Sequence, residues 1–98
     1  MIVEATNYFA KDGRAEDVLK QRRRATEIRR QLGLAPGRIL VRTEGDGPDV
    51  QWECSFETRE DYEADMAARK ASKDFTEARQ AMHTLLSRFE RHLYEVDQ

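Results

Sequence analysis

The stretch VQWECSFETREDYEADMAARKASKDF, residues 50–75, constrains the fold of this chain more than any other. Val50, Trp52, Cys54 and Phe56 alternate with Gln51, Glu53, Ser55 and Glu57, the period-two pattern of a strand with one face in a core. Thr58-Arg59-Glu60-Asp61 follows as a capping-box signal, with Asp in place of the commoner Glu or Gln. Tyr62 and Met66 lie one turn apart, and the alanine-rich MAARKA carries a helix to about residue 71. Ser72 predicts a second N-cap, with Asp74 and Glu77 in the new first turn. A strand, a helix, a break and a second helix in such quick succession leave few folds open.

Residues 2–9 predict the first strand, bounded by the turn Lys11-Asp12-Gly13. Val3, Ala5 and Phe9 share one face with Asn7; Ile2, Thr6 and Tyr8 share the other with Glu4. Residues 14–32 predict a helix with Glu16 and Asp17 in its first turn and Arg29 and Arg30 in its last, as the helix dipole favours. Gly33 supplies its C-cap and Pro36 prevents continuation. Its apolar stripe is Val18, Leu19, Ala25, Ile28 and Leu32, and Arg22 and Arg29 fall inside that stripe. Residues 38–44 and 50–57 predict an antiparallel hairpin around the turn Gly45-Asp46-Gly47-Pro48-Asp49. Further on, Phe75, Ala78, Met82, Leu85, Leu86 and Phe89 recur at helical spacing, predicting a helix to residue 89 with His83 exposed. Residues 91–96 predict a short closing strand.

The order β-α-β-β-α-α-β, with antiparallel pairing and right-handed crossovers, defines an α+β ferredoxin-like sandwich. It has a four-stranded antiparallel sheet with helices on one face, in a single domain over residues 1–98. The bare face is expected to carry Ile2 or Val3, Tyr8, and Leu40 or Val41. Packing two such sheets together in a homodimer is the simplest way to bury it. Charge fits complementary surfaces: residues 11–38 hold nine bases against four acids, residues 44–65 nine acids against Arg59 alone.

Several classes are set aside. The net charge of −2 and the lack of an aromatic-and-basic strand surface argue against nucleic acid. No run is apolar enough for a bilayer, the N-terminal MIVEATNYF has no basic leader, and the single cysteine, Cys54, fits a reducing compartment. A cytoplasmic protein with no membrane partner is expected. His83 and His92 have no metal-site spacing and no Gly-rich phosphate loop is present, so neither metal nor cofactor is expected. Cys54 between Trp52 and Phe56 reads as a buried structural thiol rather than half of a Cys54–His83 nucleophile pair.

Arg22 and Arg29 are the local conflict. A buried guanidinium needs a partner. Either both arginines snorkel past the stripe or pair with a sheet acid such as Glu4, Glu53 or Glu95, or one of them enters a cavity between helix and sheet and binds the anion of a ligand. Trp52 is then either plain core or the aromatic wall of the same cavity.

The stretch QWECSFETREDYEADMAARKASKDFTEARQAM, with the closing HLYEV, resembles the dimeric α/β-barrel superfamily. Within it, the chain is most similar to small bacterial NIPSNAP-like and antibiotic-biosynthesis-monooxygenase-like proteins. The aromatic-rich strand, the Asp61-Tyr62 pair opening the helix and the break from Ser72 to Phe75 carry the likeness. It implies a homodimer and a role among cofactor-independent oxygenases, isomerases and proteins of no known activity. In the haem-degrading type an Asn on the first strand works with a Trp and a His on the later helices. Asn7 matches the first position, while the counterparts of the others fall near Met66 and Arg79. The candidate ligand residues are thus Asn7, Arg22, Arg29 and Trp52, around a small anionic or aromatic metabolite. In an oxygenase or isomerase, Asn7 and an Arg would polarise a substrate oxygen while Trp52 packs the ring.

Overall fold

A computed structural model describes residues 1–97; Gln98, the last residue of the expected domain, lies outside them. The elements run β1 (Ile2–Ala10), α1 (Ala15–Gln31), β2 (Arg38–Val41), β3 (Val50–Phe56), α2 (Arg59–Ala71), α3 (Lys73–His83) and β4 (Leu86–Glu95). The strands form one antiparallel sheet in the order β2-β3-β1-β4. This is the α+β ferredoxin-like β-α-β-β-α-α-β sandwich.

The local signals act as expected at the helix ends. Helix α1 closes in a Schellman motif: Leu34 N–H donates to the Arg29 carbonyl, Gly33 N–H to that of Arg30, and Gly33 has φ 76°. Thr58 Oγ1 accepts from Asp61 N–H at the start of α2, and Ser72 Oγ from Phe75 N–H at the start of α3, each at 3.1 Å. These two caps set the break between α2 and α3.

Three expectations change. Strand β2 stops at Val41 rather than residue 44, because Arg42 turns into the loop and bonds the Gly47 carbonyl and Asp49. Helix α3 ends at His83, and Leu86 to Phe89 belong to β4. The register of β1 against β4 shifts between Phe9 and Ala10, so that Phe9 faces Arg88 and Ala10 faces Leu86. The extra residue, Ser87, is a β-bulge that turns Leu86 and Phe89 to the same side of the sheet. Three-residue spacing on one face, the mark of a helix, is produced here by a bulged strand. Finally, Tyr8 is not on the bare face: with Glu4 and Thr6 it points at the helices and is buried.

The core lies between sheet and helices, with Trp52, Val50, Val18 and Tyr62 among its buried members. Its edge near β2 depends on Gly37. That residue has φ 66°, and an added Cβ would stand 2.5 Å from Trp52 Nε1 and 2.6 Å from the Glu53 carbonyl oxygen. Gly33 also has positive φ, but a Cβ there meets nothing within 4 Å. Gly33→Ala should therefore lose about 1 kcal/mol for backbone conformation alone, whereas Gly37→Ala should lose at least about 2 kcal/mol because Trp52 must also move. Urea unfolding followed by fluorescence of the single tryptophan, Trp52, compares the two.

Candidate functional site

Trp52 is central to the space beneath the helices. Its side chain is almost wholly buried and its Nε1 donates to the Pro36 carbonyl at 2.9 Å. Three guanidiniums approach its ring, those of Arg22, Arg29 and Arg69, at 4.6, 4.8 and 5.7 Å from the centroid. Each contact gains from the ring quadrupole. Burying three cations around one indole nevertheless demands counter-charge.

Two acids supply it. Arg29, 0% exposed, makes a fork with Asp65: Nη1 donates to Oδ1 at 2.9 Å and Nη2 to Oδ2 at 2.7 Å, while Nε donates to the Ala35 carbonyl. Asp65 Oδ1 also accepts from Arg69 Nε at 2.7 Å. Arg69 makes a second fork onto Glu4, at 3.0 and 2.6 Å, and Arg91 Nε adds a third donor to Glu4 at 3.0 Å. Glu4 is 0% exposed. Burial alone would push the Asp65 carboxyl up, but Arg29 and Arg69 outweigh it and hold the group below its ordinary value. Both carboxylates are engaged by two arginines each.

Arg22 has no such partner. It is 4% exposed, its Nη1 donates to the Tyr8 hydroxyl at 3.1 Å and its Nη2 to Thr26 Oγ1 at 3.4 Å. Its Nε is the one buried side-chain nitrogen or oxygen without a hydrogen-bond partner among the described residues. Burial pushes its pKa below the ordinary arginine value; Tyr8 opposes this, and Arg29 and Arg69 add to it. Arginine still stays charged at any ordinary pH.

Arg22 and Trp52 line a cavity of about 560 Å³ between sheet and helices, within the usual size of a small-molecule site. Met66, Phe75, Ala78, Met82 and Phe89 make its apolar walls, and Thr6 and Tyr8 its floor. Lys70, Arg79 and His83, all exposed, stand where it opens.

Of the four residues singled out in the sequence, Arg22, Arg29 and Trp52 meet. Asn7 does not join them. It lies on the opposite face of β1, where its Nδ2 donates to Glu90 at 3.1 Å and its Oδ1 accepts from Gln51 at 2.7 Å. Asn7 and an arginine therefore cannot act on one substrate oxygen inside this cavity. The hydrogen bond from Asn7 holds the Glu90 carboxyl below its ordinary value, helped by Arg88 and His92. Arg29 pairs with Asp65 of α2 rather than with a sheet acid; Glu4 takes Arg69 and Arg91, and Glu53 takes Arg38. Cys54 is buried below Arg29 with its pKa raised by burial, while His83 packs edge-on to Phe89. Sequence reasoning named Glu4 only as a partner for Arg22 or Arg29, and missed Asp65 and Arg69. Asp65 and Arg69 sit one turn apart on α2 in the row of Tyr62, a detectable signal that they face inward.

This fold is that of several solved structures. An uncharacterized NIPSNAP domain protein from Burkholderia xenovorans superposes with a TM-score of 0.79 at 16% identity, over 99% of this chain and 95% of that one. An antibiotic biosynthesis monooxygenase matches with a TM-score of 0.74 at 18% identity over the full length of both chains. A dimeric protein of unknown function and ferredoxin-like fold from Bacteroides fragilis matches at 0.72 and 10% identity, over 97% and 95%. At such identities the likeness is one of fold. No family model and no curated protein matches the chain.

Two substitutions separate the structural arginines from the spare one. Asp65→Ala leaves Arg29 buried without its acid and should cost about 3–5 kcal/mol. Arg22→Met removes a buried cation that has no acid to lose, so the unfolding midpoint should hold or rise. Acid adds a check. The Asp65 carboxylate, depressed in the folded state, contributes stability fully present above about pH 4, the unfolded value, and lost as pH falls through the lower folded value. Urea midpoints between pH 7 and pH 2.5 should fall less steeply for Asp65→Asn than for the natural chain.

Proposed function

We propose that this protein binds a small anionic metabolite with an apolar body, in the cavity between Arg22, Trp52 and the helices. The observation that carries this reading is Arg22: a buried cation with no acid partner among the described residues, lining a cavity of ligand size. A ligand carboxylate or enolate would supply the missing counter-charge to the guanidinium through a charge-assisted hydrogen bond, and Trp52 would flank its body. Arg29 holds the wall in place, since its own donors are spent on Asp65 and Ala35. Trp52 fluorescence reports occupancy. 2-Naphthoate should quench or shift it with saturation, neutral 2-naphthalenemethanol should bind at least about tenfold more weakly, and Arg22→Met should erase the difference. Equal binding of acid and alcohol by the natural chain would refute the reading.

A second reading, a cofactor-independent oxygenase or isomerase, is favoured by one contact. The Tyr8 hydroxyl hydrogen-bonded to Arg22 offers a proton-exchanging group beside an anion site. Oxygen uptake with a dihydroxynaphthalene, lost in Tyr8→Phe, tests it; no uptake above buffer leaves the protein a binder.

The working unit in this proposal is a homodimer in a reducing cytoplasm, with the bare sheet faces packed together. Support comes from exposed Leu40 and Tyr94 on that face and from the row Gln51–Asn7–Glu90 lying across it. The Bacteroides fragilis protein of the same fold is described as dimeric. Among the described residues no helix is long and apolar enough to cross a membrane. Light scattering should give about twice the 11.4 kDa of one chain at micromolar concentration; a single-chain mass would overturn the dimer.

A further inference from the structure

The charge of the cavity runs against that of the molecule. The chain carries a net −2, yet five cationic side chains line this one space, Arg22, Arg69, Lys70, Arg79 and Arg91, against a single carboxylate, Glu4. Glu4 is already taken by Arg69 and Arg91, and Arg69 also by Asp65. What remains is arranged by depth. Arg22 is buried beside Trp52, while Lys70, in the last turn of α2, and Arg79, on α3, are exposed at the opening. Neither Lys70 nor Arg79 forms an ion pair among the described residues, although acids are plentiful on the surrounding helices and Lys73 of the same region pairs with Glu77. Between the two levels the wall is apolar, with Met66, Phe75, Met82 and Phe89.

A monoanion held by Arg22 would leave the outer cations without a task. We infer that the ligand is two-headed: an apolar, ring-sized body with one anionic group on Arg22 at depth and a second, at its far end, between Lys70 and Arg79 at the opening. This rests on the anion-binding reading above and extends it to the ligand's class, a dicarboxylate or a carboxylate with a distal phosphate or sulfonate. The inner contact, desolvated, sets affinity; the outer one, in water, adds less, is screened by salt and draws the ligand in by its field.

Calorimetric titration with two probes separates these claims. Naphthalene-2,6-dicarboxylate should bind about fivefold or more tighter than 2-naphthoate at low salt, the ratio shrinking at 0.5 M salt. In Lys70→Gln/Arg79→Gln the ratio should fall to near one. In Lys11→Gln/Lys20→Gln, an equal loss of charge from exposed positions outside the cavity, it should persist. If naphthoate binds in an Arg22-dependent way but the second carboxylate adds nothing, or its gain survives Lys70→Gln/Arg79→Gln, the two-headed ligand is refuted and the single anion site stands. If neither probe binds, or Arg22→Met changes nothing, both readings fall together.

Discussion

The fork between Arg29 and Asp65 is the interaction on which the rest of the structure depends. It joins α1 to α2 across the face of Trp52, and through Arg69 it continues to Glu4 on β1 and Arg91 on β4. Helix α1, helix α2 and two strands are thereby held in one register by a buried charge network. Networks of this kind are seldom the cheapest way to stabilise a core, because desolvation offsets most of the attraction. Their advantage is geometric: a guanidinium fork accepts one arrangement of its partners, whereas apolar packing tolerates several.

The same network explains why the cavity is cationic. Glu4, Arg69 and Arg91 of the network line it, with the one carboxylate held by both arginines. Each acid is shared by two arginines, so nothing negative is left for Arg22. An uncompensated guanidinium in an apolar pocket is a stability cost, and such costs are commonly found where a ligand completes the site. Tyr8 and Thr26 satisfy two of its nitrogens and leave the third.

The two faces of the sheet do different work. The inner face carries Glu4, Thr6, Tyr8, Trp52 and Arg91, and with them the charge network and the cavity floor. The outer face carries Asn7, Gln51, Glu53, Glu90 and His92, a polar row interrupted by Leu40 and Tyr94. Asn7 is adjacent in sequence to Thr6 and Tyr8, yet strand alternation puts it in a separate environment. A motif match at one strand position is therefore worth little until its parity is known.

Periodicity and capping chemistry were enough to determine the order of elements, the caps at Thr58 and Ser72, the closing turn at Gly33, and the inward-facing row of Val50, Trp52, Cys54 and Phe56. All are decided within a few residues along the chain, where backbone hydrogen bonding and side-chain spacing act directly. Arg22 and Arg29 were also legible as misplaced cations, because an amphipathic stripe makes any charge within it conspicuous. Tertiary structure alone decided which of them found an acid. Arg29 reaches Asp65 thirty-six positions away, and Glu4 meets Arg69 sixty-five positions away, contacts that no local pattern encodes. It also decided that Leu86 and Phe89 share a face through a bulge, since a bulge is defined by the partner strand and is invisible in the strand that carries it. Local chemistry set the elements; the long-range matching of charges set which cation was left for a ligand.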